Sequence, residues 1–346
     1  MNEHEFSYRK ELEQLQFTSE QKQQMIAALT KEDQSEFSAS KHHRRPFVKI
    51  AILSAAALGV LVVGAGATGA LKSLPEAFAG IFSEEQTEVA DQIGYPIGAM
   101  ATSNGVTITA DAILGDAYNA CMVYTIQRED GQPLTANVEG LQFEDSDMNM
   151  TGMGGTSGYS YFFDQDPNDN AIQYVESISG DEPLKKGTVT VEFKNLTQTR
   201  LDDSDSGTKT LVEGDWKLKF QVNYEDSTVA LPAGQTFQQD GMHFAIEELS
   251  LSKVGIRVHY TVDQKLPCKT SDEKQRELED KIFTNMTIQI VKKDGTVLDA
   301  SNLGGFWTPE DGKTDCLKSG MLPEIISLDE VESVIVGGVT VPVAAE

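Results

Sequence analysis

The sequence predicts a mainly β protein, carried on a short helical tail and one transmembrane helix. Three observations predict it. From Ile50 to Leu71 no residue is charged. Beyond Gly94 the chain breaks into short runs rich in β-branched and aromatic residues, with Gly, Asn and Asp between them, a pattern that favours strands. One stretch also recurs. Asn104-Gly105 opens NGVTITADAILGDAYNACMVYTI, and Asp240-Gly241 opens DGMHFAIEELSLSKVGIRVHYTV, at a constant offset of 136 positions with no gap. A repeated turn and strand pair implies two related β-sandwich domains.

The uncharged run is too long for a strand. A bilayer core of about 30 Å takes about 20 helical residues, and this run has 22. Inside it Gly64, Gly66 and Gly69 spell G-x-G-x-x-G, with Glu88 near the spacing of a ribose-binding acid. No further strand–helix–strand units follow, so these glycines read as small residues of a span. The run also begins too far from the N-terminus for a signal peptide. Lys41, Arg44, Arg45 and Lys49 precede it, whereas Lys72 and then Glu76, Glu84, Glu85 and Glu88 follow. Basic flanks stay inside. The expected organisation is a cytoplasmic tail (1–46), a transmembrane helix (47–71), a juxtamembrane helix and linker (72–94), and two extracytoplasmic β-sandwich domains (95–230 and 231–346).

The tail reads as two amphipathic helices. Leu12 and Leu15 follow Phe6 and Tyr8 at helical spacing. Thr18 with Gln21 forms a capping-box pattern ahead of Met25, Ile26 and Leu29. Helices this short are marginal alone and need a surface to cover their stripes. The tail holds 7 Lys/Arg against 8 Asp/Glu. That balance does not suit a membrane face, which favours basic residues. Leu12, Leu15, Met25, Ile26 and Leu29 are therefore the expected contacts to a cytoplasmic protein partner.

Beyond the span, Ser73 and Glu76 form a second capping box, opening a helix that carries Phe78, Ile81 and Phe82. Strands are expected over Val106–Leu114, Ala120–Gln127, Thr188–Leu196, Asp215–Tyr224, Phe244–Ser252, Gly255–Val262, Met286–Gly295 and Ser333–Val343. One helix, capped by Thr270 with Glu273, is expected to run to Phe283.

The net charge is −26, and residues 72–346 hold 20 Lys/Arg against 46 Asp/Glu. Such a domain repels phosphate backbones, which excludes nucleic acid as a partner. Of three cysteines, Cys268 and Cys316 share the second domain. They either form a disulfide or stay free like Cys121. Asp164, Asp166 and Asn168 match the first ligand positions of a calcium loop. However, Asp169 stands where Gly is needed and Val175 where Glu is needed, so a solvated turn is expected. Met148, Met150 and Met153 read as a loop before a strand, and His243 and His259 as strand residues. No catalytic, cofactor or metal set is expected.

The Pro75–Ala79 helix after a single span, followed by NGVTITADAILGDAYNACMVYTI, resembles the membrane proteins called domain of unknown function 4179. EGDWKLKFQVNY (Glu213–Tyr224) with the second repeat is similar to the immunoglobulin-like C-terminal domain that often accompanies them. The resemblance implies two immunoglobulin-like sandwiches and an anti-sigma-factor role, in which the tail holds a sigma factor at the membrane and the outer domains meet an unknown extracytoplasmic ligand. Cutting the chain near 72–94 is then expected to release the partner. The tail lacks the H-x-x-x-C-x-x-C of zinc-type anti-sigma domains, since His42 and His43 have no cysteine nearby. The competing expectation is a surface-displayed module whose tail only anchors it.

Overall fold

A computed structural model describes residues 72–150, 156–199, 207–266 and 273–343. They belong to one compact unit, Ala57–Glu346. The described chain is mainly β, with several antiparallel sheets and few helices. No helix among the described residues is long and apolar enough to cross a membrane. The expected span at 47–71, and the tail contacts Leu12, Leu15, Met25, Ile26 and Leu29, lie outside the described residues.

Two helices come first, α1 (Leu74–Phe78) and α2 (Glu84–Ile93). The first module follows, with β1 (Tyr95–Ser103), β2 (Val106–Gly115), β3 (Asn119–Arg128), β4 (Leu141–Met148), β5 (Thr156–Phe163), β6 (Ala171–Gly180), β7 (Gly187–Thr199) and β8 (Thr208–Val222). One sheet has the order β1-β2-β3-β6-β5 and the other β4-β7-β8. Both contribute to one core, in which Tyr124, Phe193 and Trp216 are fully buried.

The second module contains β9 (Val229–Leu231), β10 (Thr236–Gln239), β11 (Met242–Leu251), β12 (Gly255–Val262), α3 (Glu273–Glu279), β13 (Ile288–Lys292), β14 (Val297–Asp299), β15 (Gly305–Pro309), β16 (Thr314–Met321), β17 (Val331–Val336) and β18 (Val339–Pro342). One sheet runs β10-β11-β12-β16-β15, with β9 also on β11, and the other runs β14-β13-β17-β18. They share a second core around Phe244, Tyr260 and Ile290.

The internal repeat holds down to individual hydrogen bonds. Asn104 and Asp240 both take positive φ before Gly105 and Gly241, which closes each first hairpin with a tight turn. β2–β3 breaks register between Ala110 and Ala112, and β11–β12 breaks it between Ile246 and Glu248. The two bulged residues are Asp111 and Glu247, again 136 apart. Each accepts from a threonine on the next strand, Thr125 Oγ1 at 2.6 Å and Thr261 Oγ1 at 3.0 Å. A bulge at one fixed position bends a strand and re-aims a side chain.

Several expectations change in the structure. The Ser73–Glu76 capping box forms, with Glu76 Oε2 accepting from Ser73 N at 2.8 Å. However, the helix stops at Phe78 and the chain turns at Gly80 (φ 82°), so Phe82 reaches Phe78 through a ring contact at 5.9 Å and not along a helix face. Ser333–Val343 is two strands, because Gly337 and Gly338 both take positive φ. The Met148–Phe163 stretch, expected to be a loop before a strand, starts at the last residue of β4 and ends in β5. The helix toward Phe283 changes to a π-helical turn at Asp280–Thr284. Its expected cap, Thr270, lies outside the described residues.

Candidate functional site

Lys72 and the two helices after it lock the chain to the β body. Lys72 Nζ lies 4.0 Å from the Asp111 carboxylate. Leu74, Ala77 and Phe78 of α1 and Ala90 of α2 are buried on Ala112, Leu114 and Val123 of the first module, together with Val254 and Ile325 of the second. Helices α1 and α2 therefore cover the outer face of the first sheet and bridge to the second module. Burying this apolar surface stabilises the clamp. Within 72–94, expected to be the cleavage region, Leu74, Ala77, Phe78 and Ala90 are buried, so a protease would have to pull α1 off the sheet to cut there.

Beneath the clamp is the joint between modules. Asp116 and Ser252 are equivalent positions of the repeat, and they meet: Ser252 Oγ donates to Asp116 Oδ2 at 2.6 Å. Each also organises its own turn. Asp116 Oδ1 accepts from Tyr118 N and Asn119 N at 2.8 and 2.7 Å. Ser252 Oγ accepts from Val254 N and Gly255 N at 3.1 and 2.7 Å. Asn119 Oδ1 accepts from Ser179 Oγ of the first module and Ser319 Oγ of the second, at 2.7 and 3.0 Å. The connector serves both turns, because Thr228 Oγ1 accepts from Ala117 N and Ser227 Oγ from Lys253 N, both at 3.1 Å. Ala117 and Lys253 are again 136 apart. Buried polar groups need such partners. Burial raises the Asp116 carboxyl above its ordinary range, and the surrounding donors oppose that rise.

The joint is tight. A Cβ on Gly255 would stand 2.4 Å from Asp116 Oδ2 and 2.6 Å from Asn119 Nδ2. Arg257 spans the seam, donating to Glu248 Oε2 at 2.6 Å and to the Asp181 carbonyl at 3.1 Å, with its guanidinium 4.6 Å from the Tyr118 ring centroid.

Other expected residues fall elsewhere. Cys316 is a free thiol buried in the second core, pushed up to about 12 by burial. Its expected partner Cys268 lies outside the described residues. Cys121 is likewise buried and free. Asp164, Asp166 and Asp169 turn back on their own loop, accepting from Asp166 N, Asn168 N and Ala171 N at 3.0, 3.1 and 2.8 Å. Among the described residues no three His, Cys, Asp or Glu side chains stand together as metal ligands. His259 Nε2 faces Asp315 Oδ1 at 2.9 Å across β12–β16, and His243 lies beside Gln238 on β10.

Sequence reasoning missed the joint. The only signal was the repeat itself, which aligns Asp116 with Ser252 but not that they touch. It also missed the alternating aromatics of GYSYFF, whose period of two marks a strand face.

No known family model matches the chain, and no curated protein matches it. A solved structure described as "The crystal structure of the conserved domain protein from Bacillus anthracis" is similar at a TM-score of 0.47 and 13% identity, covering 71% of this chain and 77% of that one.

Proposed function

We propose that this protein is a single-pass membrane regulator of the anti-sigma type. Its N-terminal helices hold a cytoplasmic sigma factor, and its two modules, immunoglobulin-like sandwiches, face the outside and bind or sense an extracytoplasmic signal. The observation that carries this reading is the order of parts. A partner-seeking apolar stripe precedes a basic flank and an uncharged run of spanning length, and α1 and α2 then clamp the chain onto both outer modules at once.

That clamp bears on how a signal would cross. One span transmits small shape changes poorly, so release by proteolysis or by altered self-association fits better. With Leu74, Ala77, Phe78 and Ala90 buried, proteolysis within α1 would have to be coupled to opening of the clamp. Ligand binding that favoured the open state would shift that equilibrium.

The test is capture of the full-length chain from membranes of the native host, with identification of what accompanies it. One sigma factor is expected, and it should be lost when Leu12, Leu15, Met25, Ile26 and Leu29 are all changed to Ser. A folded, membrane-inserted chain that brings down no sigma factor sinks this reading and favours the second one, a surface-displayed binding module with the tail as anchor. An exposed row of aromatic side chains on β5 favours that second reading.

A further inference from the structure

β5 carries Tyr159, Tyr161 and Phe163 at alternate positions, hence on one face. Tyr159 is 60% exposed and Tyr161 38%. Their rings stack at 6.3 Å with planes 12° apart, and Phe163 continues the ladder at 6.0 Å. The ladder lies on the helix-covered side of the sheet. Tyr161 pairs with Val175, Val175 with Val123, and Val123 with Ala112. The last two are buried under α1 and α2. Four large hydrophobic side chains are exposed among the described residues. Tyr159, Tyr161 and Val89 of α2 all belong to this side of the first module, and the fourth, Val297, is in the second.

The chain enters the body on the same side. Lys72 sits beside Asp111 of β2, one residue after the uncharged run ends at Leu71. From β2 across β3 and β6 to β5 is three strand spacings, about 14 Å. The path between the two points is fixed, since α1 is buried on the sheet and Gln165 Nε2 donates to the Ala79 carbonyl at 2.7 Å. A Cβ on Gly80 would stand 3.1 Å from the Phe163 ring. A bilayer that begins at Leu71 is therefore held within reach of the ladder, which gives it a high effective concentration there.

From this geometry we infer that the helix-covered face of the first module docks on the outer lipid surface, with Tyr159 and Tyr161 at headgroup depth. Tyrosine suits that depth because its ring is apolar and its hydroxyl is wet. The net charge of −26 makes a zwitterionic surface the favourable one. The inference rests on the reading of 47–71 as a span.

The experiment reconstitutes the full chain into phosphatidylcholine vesicles with lipids brominated near the headgroup end of the acyl chains. Two variants are compared, Tyr159→Trp and Val297→Trp, each after subtraction of the unsubstituted chain's emission. The expected result is loss of most of the added emission for Y159W and retention of it for V297W. Vesicle flotation separates the two ways of failing. A chain that does not float overturns the span and the docking together. A chain that floats while Y159W is quenched no more than V297W overturns the docking alone. Unquenched emission that responds instead to a soluble cell-wall glycan fragment also overturns it, and assigns the ladder to a sugar.

Discussion

The two modules place opposite charges at equivalent sites of their corresponding sheets. Across β3–β6, Met122 faces Glu176; across β12–β16, the equivalent Val258 faces Lys318. Both lie next to the core tyrosine of their module, and burial pulls each toward its neutral form. The Glu176 carboxyl rises to about 7 and the Lys318 ammonium falls to about 8. Their local environments differ. Lys318 Nζ donates to the carbonyls of Ser301, Phe283 and Thr284 at 2.7, 3.2 and 3.4 Å, so it ties the π-helical turn to the β14–β15 loop. Glu176 accepts from the Tyr124 hydroxyl at 3.5 Å. Backbone register is the same in both modules because the bulge, the tight turn and the apolar alternation fix it. The buried polar position can differ as long as something nearby satisfies it.

The largest effect should come from Lys318→Met. Three carbonyls would lose a charged donor, at a cost of about 3 kcal/mol, seen as a lower midpoint in denaturant unfolding. If the loss is negligible, Lys318 does not organise the second module.

Next is the joint. Gly255→Ala puts a Cβ within 2.4 Å of Asp116 Oδ2 and should cost about 2 kcal/mol. Gly241→Ala, in a hairpin turn with φ 80° but nothing within 4 Å, should cost about 1 kcal/mol. Only the joint variant should make protease cleavage between the modules easier. Equal cleavage in both would mean that the seam does not hold the modules together.

The core tyrosines come third. Tyr260 OH donates to the Ile282 carbonyl at 2.8 Å, whereas the Tyr124 hydroxyl has only contacts at 3.5 Å. Tyr260→Phe should lose about 1.5 kcal/mol, and Tyr124→Phe a few tenths at about neutral pH. A reversed order would break the comparison.

One effect changes with pH. The folded-state pKa of Glu176 is raised, so the stability it contributes is present below about 4.5 and is lost as pH rises through about 7. Glu176→Gln should therefore unfold at a higher temperature than the wild type at pH 8. Near pH 4 the two should melt together. A gain that is the same at both pH values would show that burial of the ionised carboxylate is not its source.

Much of the β structure was legible because its signals are local. Gly255–Val262 alternates and is a strand over that same span. Asn104-Gly105 and Asp240-Gly241 announced their turns. β6 was obscured by the aspartates of the loop before it, and β5 by the glycines that precede its aromatics. The short strands β9, β14 and β15 hold three, three and five residues, too few for a period to show. The joint was illegible for a different reason: Asp116 and Ser252 are 136 residues apart, and each looks locally like an ordinary turn residue.

The sequence by itself determined the mainly β character, the capping box at Ser73, the hairpin turns and the duplicated strand pair. All of these depend on side-chain period and backbone preference over a few residues. Only the tertiary structure decided that equivalent turns of the two repeats meet in one polar seam, that α1 and α2 lie across both modules, and that the ladder stays uncovered. Those are contacts between segments far apart in the chain. They are set by which apolar faces remain to be buried once the strands have formed, and local sequence carries no record of that choice.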